Sequence, residues 1–228
     1  MKQRTTKQYP QEFQLIFKII LMIVYGMSEK EMTQEVMSDM FNAFRYEDRN
    51  QNKFRRQVLK SSVFPVYRHI IYTSPRKNRW LILIEARSKK EVGDLCRITY
   101  VTTHQTPHGV YAIMVSWVQG QPQLIFFPPH FFSRFRTRMG LNEYGMDLLI
   151  YFFRRNSSFV YEQQVRELTC DQYVTEIYGS TRDGVALGVA TVEGNILFKT
   201  FVTYDMLKGE QIEKFTKNEE LRIEIHDK

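Results

Sequence analysis

The sequence predicts an α+β fold: N-terminal helices, antiparallel strands, a two-helix insertion, and a C-terminal β-meander followed by a last helix. Apolar residues recur at helical spacing before about residue 60, and extended segments rich in β-formers follow. A proline pair then interrupts the strands. We therefore assign residues 1–60 to a helical N-terminal extension and residues 61–228 to an α+β core domain.

The first predicted helix carries the apolar run 15–25 and ends at Gly26. Basic residues precede the run, as they do in a signal peptide for secretion. Lys18 interrupts it, however, and no small-residue cleavage pattern follows. The run is also too short to span a bilayer. A buried helix is the preferred interpretation, and it places the protein in the cytoplasm without a membrane partner.

Ser28 and Glu31 form a capping-box pattern that predicts the start of a second helix. Its apolar face is predicted to carry Met32, Val36, Met40 and Phe44. The charged stretch 45–56 shows little apolar periodicity, so we expect a loop and a short third helix there.

The core domain is predicted to start with two hairpins and a fifth strand. The expected strands are 67–73, 80–86, 96–103, 110–118 and 123–127, with turns at 74–78 and 104–109. The run Leu81–Ile84 does not alternate between apolar and polar residues. That strand is therefore expected to be buried on both faces.

The proline pair Pro128–Pro129 is expected to end the strands and start a helix over 130–139, which Gly140 ends. Asn142 is the expected N-cap of a second helix that reaches Arg155. The strands predicted after it are 159–165, 173–178, 185–192 and 196–203. An amphipathic helix over 204–215 and a charged tail complete the prediction.

The helix over 130–139 carries the strongest chemical pattern in the sequence. His130, Arg134 and Arg138 recur every four residues and fall within an arc of roughly 80° on one side of a helix. An imidazole can exchange a proton near neutral pH, whereas guanidinium groups grip phosphate oxygens. The row could therefore hold a phosphodiester and move a proton beside it. The same spacing is also typical of a solvated helix face with no function.

The segment around this row resembles a nuclease superfamily that includes barnase, RelE-type toxins, colicin-type tRNA nucleases and EndoU-like enzymes. The resemblance covers roughly residues 128–205: two consecutive helices, with His and Arg on the first, then a strand meander ending in Lys199–Thr203. It implies metal-independent cleavage of RNA by attack of the ribose 2′-hydroxyl on the neighbouring phosphorus. His130 would be the general acid or base, and Arg134 and Arg138 would neutralise the phosphorane.

The family's strand hydroxyl corresponds to Thr200 or Thr203. This sequence departs from the pattern in two respects: the N-terminal half has no counterpart, and the C-terminal strands carry no second histidine. An inactive member of such a scaffold therefore remains an alternative.

A second set of basic residues could form a binding surface for nucleic acid. Arg79 and Arg87 lie at strand ends, and Arg154 and Arg155 end the second helix of the insertion. Tyr72 and Trp80 are interleaved with further cations, namely Arg76, Lys77, Lys89 and Lys90. The net charge of +7 also favours polyanionic partners. If these residues are scattered, they serve solubility alone.

Metal and cofactor sites have little support in the sequence. His104 and His108 are four residues apart, but Pro107 and Gly109 preclude a helix that could align them as zinc ligands. A hairpin tip is the preferred position for both. The two cysteines, Cys96 and Cys170, are far apart and form no Cys-x-x-Cys pair. We expect no metal, no cofactor and no disulfide.

Two functions remain open from the sequence, beside a structural protein in which the histidine has no role. The first is a metal-independent, toxin-like endoribonuclease that uses His130, Arg134, Arg138 and Thr200 on RNA. The second is a non-catalytic protein that binds nucleic acid or another protein through its basic surface. A protein inhibitor and a second copy of the chain are further partners that the first function would allow.

Overall fold

The computed structural model describes residues 22–92, 95–169 and 172–226, and it confirms the α+β class. The helices are α1 (Glu29–Lys60), α2 (Pro129–Arg138), α3 (Gly145–Asn156) and α4 (Glu210–His226). The strands are β1 (Val66–Thr73), β2 (Arg79–Ala86), β3 (Arg97–Thr106), β4 (Gly109–Val118), β5 (Gln121–Phe127), β6 (Val160–Thr169), β7 (Gln172–Ser180), β8 (Gly184–Ala190) and β9 (Ile196–Thr203). Among these helices, none combines the length and apolar character that a membrane span requires.

All nine of these strands belong to one sheet, in the order β1-β2-β3-β4-β5-β9-β8-β7-β6. The sheet consists of two antiparallel meanders, β1–β5 and β6–β9. They join through a short parallel pairing of β5 with β9, in which Ile125 lies opposite Ile196. This pairing brings the C-terminal strand next to the strand that leads into α2.

The two middle helices cover one face of the sheet through an aromatic cluster. Phe131 and Phe135 of α2 and Phe152 of α3 are fully buried, and they pack edge to face against one another and against the sheet. Burying such rings contributes roughly 1.5–3 kcal/mol each. The cluster therefore fixes the position of α2 and of every side chain on its outer face.

Helix α1 covers the opposite face of the first meander. Its inner side carries Met32, Val36, Met40, Ala43, Phe54 and Val58, all buried. The predicted capping box is present, because the Ser28 hydroxyl accepts from the Glu31 backbone and the Glu31 carboxylate accepts from the Ser28 N–H at 2.8 Å. Strand β2 lies between both layers, and Leu81–Ile84 is buried on both faces as predicted.

A buried carboxylate joins α1 to the β1–β2 turn. Asp39 Oδ2 accepts hydrogen bonds from Ser74 Oγ at 2.7 Å, Asn78 Nδ2 at 2.9 Å and Trp80 Nε1 at 2.8 Å. One turn earlier, Glu35 accepts from Arg76 Nε at 2.8 Å. These contacts fix the helix on the sheet, because the two carboxylates accept from donors at four positions of the turn and strand.

The prediction for 45–56 was wrong, because the whole stretch belongs to the 32-residue helix α1. The helical recurrence of apolar residues is interrupted at Glu47, an acidic residue that is buried on the inner side of the helix. Its Oε2 accepts a hydrogen bond from Tyr100 OH at 3.3 Å. A polar partner across the interface thus replaces the apolar contact that the sequence pattern requires.

The described part of the predicted first helix, 22–26, forms a turn instead. Ile23 is buried there and its N–H donates to Asn78 Oδ1 at 2.7 Å. The rest of that prediction lies outside the described residues.

Three element boundaries also differ from the predictions. Gly140 ends α2 as expected, with Leu141 N–H donating to Arg136 O, but α3 starts three residues after Asn142, with Tyr144 at the N-cap. The β3–β4 turn is confined to residues 107–108. After β9 a single 3₁₀ turn, Tyr204–Met206, precedes α4, so the predicted last helix is present but starts at Glu210 instead of 204 and continues through the predicted charged tail to His226.

Candidate functional site

Helix α2 presents His130 and Arg134 to solvent while its phenylalanines are buried. Pro128 is extended, and Pro129 occupies the first helical turn, where its missing N–H costs no hydrogen bond. The phenylalanines at 131, 132 and 135 face the sheet, so His130 and Arg134 lie on the outer side and are exposed. The imidazole is therefore accessible and sits on a rigid element.

The His130 ring lies near the last strand of the sheet. Lys199 has no residue of β8 opposite it, because the register shifts between Phe198 and Thr200. The backbone of Lys199 is close enough to the His130 ring to favour the protonated imidazole.

Burial lowers the pKa of His130 below its ordinary value of 6.5, and the nearby Arg134 guanidinium lowers this pKa further. The Lys199 backbone acts in the opposite direction, since it favours the charged ring and raises this pKa. The net shift is downward, so His130 is neutral at pH 7. A neutral imidazole with one free nitrogen can act as a base.

Arg134→Gln should raise the pKa of His130, because the change removes a positive charge that disfavours the imidazolium. NMR titration of the His130 ring protons measures this directly. The matched control is Arg136→Gln, since the Arg136 guanidinium lies over the Tyr144 ring at 4.1 Å. An unchanged His130 pKa in Arg134→Gln would show that the two side chains do not interact.

His130 borders a hollow of about 630 Å³ between α2, the β3–β4 hairpin and the N-terminal end of α1. We name it the histidine hollow, because His104 and His108 also line it. Its other polar lining residues are Tyr25, Thr106, Tyr111 and Ser133, and its apolar wall includes Val24, Met27 and Met32. Three imidazoles from two distant parts of the chain therefore face one cavity.

The hairpin tip that carries His108 is well ordered by local bonds. Thr106 Oγ1 donates to Gly109 O at 2.7 Å and accepts from the His108 N–H at 3.2 Å. Gly109 has a φ of +124°, and a Cβ there would lie 3.4 Å from Pro129 Cβ. Glycine thus permits both the turn and the close approach of the hairpin to the start of α2.

His104 lies deeper in the histidine hollow, stacked on Tyr111 with ring centroids 5.0 Å apart. Its Nδ1 is buried and has no hydrogen-bond partner among the described residues. Burial lowers the pKa of His104, and burial with the charge of Glu29 raises the pKa of Tyr111 to about 12. Both side chains are therefore neutral at pH 7, and the Tyr111 hydroxyl keeps its proton.

The other predicted catalytic residues lie apart from the hollow. Arg138 Nη1 donates to Thr200 Oγ1 at 3.2 Å and to the Phe201 carbonyl oxygen. These two residues do meet, as the row predicted, but Arg138 binds the backbone of β9 and neither side chain lines the histidine hollow. Their contact anchors the C-terminal turn of α2 to the sheet.

The four predicted nucleic-acid contacts do not form one free surface. Arg155 is paired with Asp183, with Nη2 2.6 Å from Oδ1, and Arg87 lies 3.4 Å from Glu91. Arg154 lies over the Tyr67 ring at 4.1 Å, and both residues line a small pocket. Arg79 lines a different hollow, which His104 also lines.

The aromatic residues proposed for the same surface are also engaged. Trp80 is fully buried, so it cannot stack on a base, and Tyr72 stacks on Tyr46 with centroids 4.0 Å apart. The interpretation of Trp80 as a surface aromatic was wrong, because its indole N–H donates a hydrogen bond to Asp39 inside the core.

Sequence reasoning missed the grouping of His104 and His108 with His130. The available signal was the position of His104 and His108 around a hairpin tip, which directs side chains of both strand ends to one edge of the sheet. Within the described residues, no group of three or more His, Cys, Asp or Glu side chains is placed to hold a metal ion. Comparison of the chain with known protein families, with curated proteins and with solved structures finds no match.

Proposed function

We propose that the chain is an endoribonuclease that cleaves RNA without a metal ion, with the histidine hollow as its active site. The observation that carries the proposal is His130 itself: an exposed imidazole with a lowered pKa at a hollow that two more histidines line. A base that faces a cavity lined by further groups able to exchange a proton is the arrangement that proton transfer requires.

In the proposed reaction, His130 takes the proton of a ribose 2′-hydroxyl. The 2′-oxygen forms a bond to the neighbouring phosphorus, and the bond from phosphorus to the 5′-oxygen breaks. His108, which is exposed and lines the same hollow, gives a proton to that leaving oxygen. His108 suits this role better than His104, because burial lowers the pKa of His104. The products are a 2′,3′-cyclic phosphate and a 5′-hydroxyl.

We assign the phosphate to Arg134, which does not line the histidine hollow itself but is exposed one turn from His130 and lowers the pKa of that ring. The free N–H groups of the first turn of α2 add partial positive charge next to the same ring. Arg138 and Thr200 have a positioning role, because their hydrogen bond attaches α2 to β9. The negative charge that builds up on phosphorus would therefore be stabilised from the α2 side.

The test is incubation of the purified protein with RNA and DNA oligonucleotides of the same sequence, without added metal and with a chelator present. We expect cleavage of RNA alone, with 2′,3′-cyclic phosphate ends detected by mass spectrometry. Binding of RNA without cleavage would instead favour the non-catalytic nucleic-acid-binding protein. Cleavage of both polymers would contradict the proposed attack by the 2′-hydroxyl.

A further inference from the structure

The C-terminal half of α1 carries a continuous row of cations on its outer side. At about 100° per residue, an arc of roughly 80° on this helix contains five positions between residues 45 and 60. Every one of them is basic: Arg45, Arg49, Lys53, Arg56 and Lys60. We name this row the basic stripe. Its length is about 22 Å, from fifteen residues at about 1.5 Å each.

All five side chains of the basic stripe are exposed. None of them forms an ion pair with a described residue, and Arg45 makes only a hydrogen bond to Asn42 Oδ1 at 2.8 Å. Other arginines of the chain, such as Arg76 and Arg155, are neutralised by buried carboxylates. The positive charge of the stripe is therefore left for a partner outside the chain.

Aromatic side chains lie at one end of the basic stripe. Phe41 is one helical turn before Arg45 and is 55% exposed, and Trp117 at the end of β4 is 52% exposed. Phe44 lies between them, with ring centroids 5.7 Å from Phe41 and 6.3 Å from Trp117. Two large rings thus present surface to solvent beside a row of cations.

We propose that the basic stripe, with Phe41 and Trp117, binds single-stranded nucleic acid. Cations in a row follow a phosphate backbone, and exposed rings stack on unpaired bases, which is the combination that single-strand binding uses. A duplex hides its base faces from such rings. A lipid surface fits less well, because the apolar side of α1 is buried against the sheet and cannot enter a bilayer.

Binding of nucleic acid at the basic stripe does not require a reaction in the histidine hollow. Met32 lines that hollow, and Arg45 lies thirteen residues further along α1, which is about 20 Å of helix. A DNA strand lacks the 2′-hydroxyl that the proposed cleavage needs, so DNA binding tests the stripe alone.

The experiment measures binding of the full chain to a labelled oligo(dT) by fluorescence anisotropy over a range of salt concentrations. The test variant is R49Q/K53Q/R56Q, and the matched control is R182Q/K208Q/K217Q, which removes the same charge from other exposed positions. Thermal melts should agree with those of the unchanged protein, since all six side chains are exposed.

We expect R49Q/K53Q/R56Q to weaken binding at low salt by at least about tenfold, and to reduce the slope of log K against log salt by about 2, from about 0.7 per lost phosphate contact. The control triple should keep most of the affinity. Oligo(dT) should also quench the fluorescence of Trp117, the exposed member of the chain's two tryptophans.

Equal losses in both triple variants would overturn the proposal, since they would show attraction by net charge without a specific surface. Absence of oligo(dT) binding at low salt would also overturn it, and so would binding to anionic vesicles in its place. Unchanged Trp117 fluorescence on binding would contradict the stacking part of the proposal.

Discussion

His130→Ala is expected to reduce kcat/KM for RNA cleavage by about 10²–10⁴-fold, the range that general acid–base groups contribute. The imidazole supplies the nitrogen that accepts the proton at the hollow. Alanine removes this group. The change should leave the fold intact, since the side chain is exposed and the helix is anchored by its phenylalanines.

The matched control for His130→Ala is His69→Ala, an exposed histidine on β1 that lies outside the histidine hollow. Initial rates on one RNA oligonucleotide, at equal protein concentration and with melting curves for each variant, provide the comparison. Equal rates for His130→Ala and the unchanged protein would remove His130 from the reaction, even if cleavage itself is observed.

Asp39→Ala is expected to lower the free energy of unfolding by about 3–5 kcal/mol, the usual result of removing one partner from a buried charged network. The Asp39 side chain is fully buried. Its loss would leave the donors of Ser74, Asn78 and Trp80 without this acceptor inside the interface between α1 and the sheet.

Urea denaturation followed by circular dichroism measures the effect of Asp39→Ala. The control is Asp48→Ala, which removes the same group from an exposed position of the same helix and should change stability by at most about 0.5 kcal/mol. A loss below about 1 kcal/mol for Asp39→Ala would contradict the view that this network attaches α1 to the sheet.

Much of the fold could be predicted from local signals. The Ser28 capping box, the proline pair before α2 and the unbroken apolar run Leu81–Ile84 each have one physical interpretation, and each was confirmed. The failure over 45–56 has a physical cause, which is a buried polar residue at a helix position where the pattern requires an apolar one. Glu47 interrupted the apolar period that would have predicted helix over 45–56. Its hydrogen-bond donor, Tyr100, lies on a strand more than fifty residues away in sequence.

Less of the candidate site than of the fold could be predicted from the sequence. Helical spacing brought His130 and Arg134 together on one side of α2, and their electrostatic contact agrees with that. Helical spacing could not predict that His104 and His108 line the same hollow. Their position depends on the β3–β4 register and on the approach of Gly109 to Pro129. The helical spacing also could not show that Arg138 is engaged by β9, which reaches α2 through the parallel pairing of β5 and β9.

The role of His130 as a base for a ribose hydroxyl is tested most directly by a DNA oligonucleotide that contains a single ribonucleotide. We expect one cut, on the 3′ side of that ribonucleotide, leaving a 2′,3′-cyclic phosphate. Methylation of its 2′-hydroxyl should abolish the cut, and His130→Ala should slow it by about 10²-fold or more. Cleavage of the methylated strand, or binding of the unmethylated strand without any cut, would contradict the proposed function.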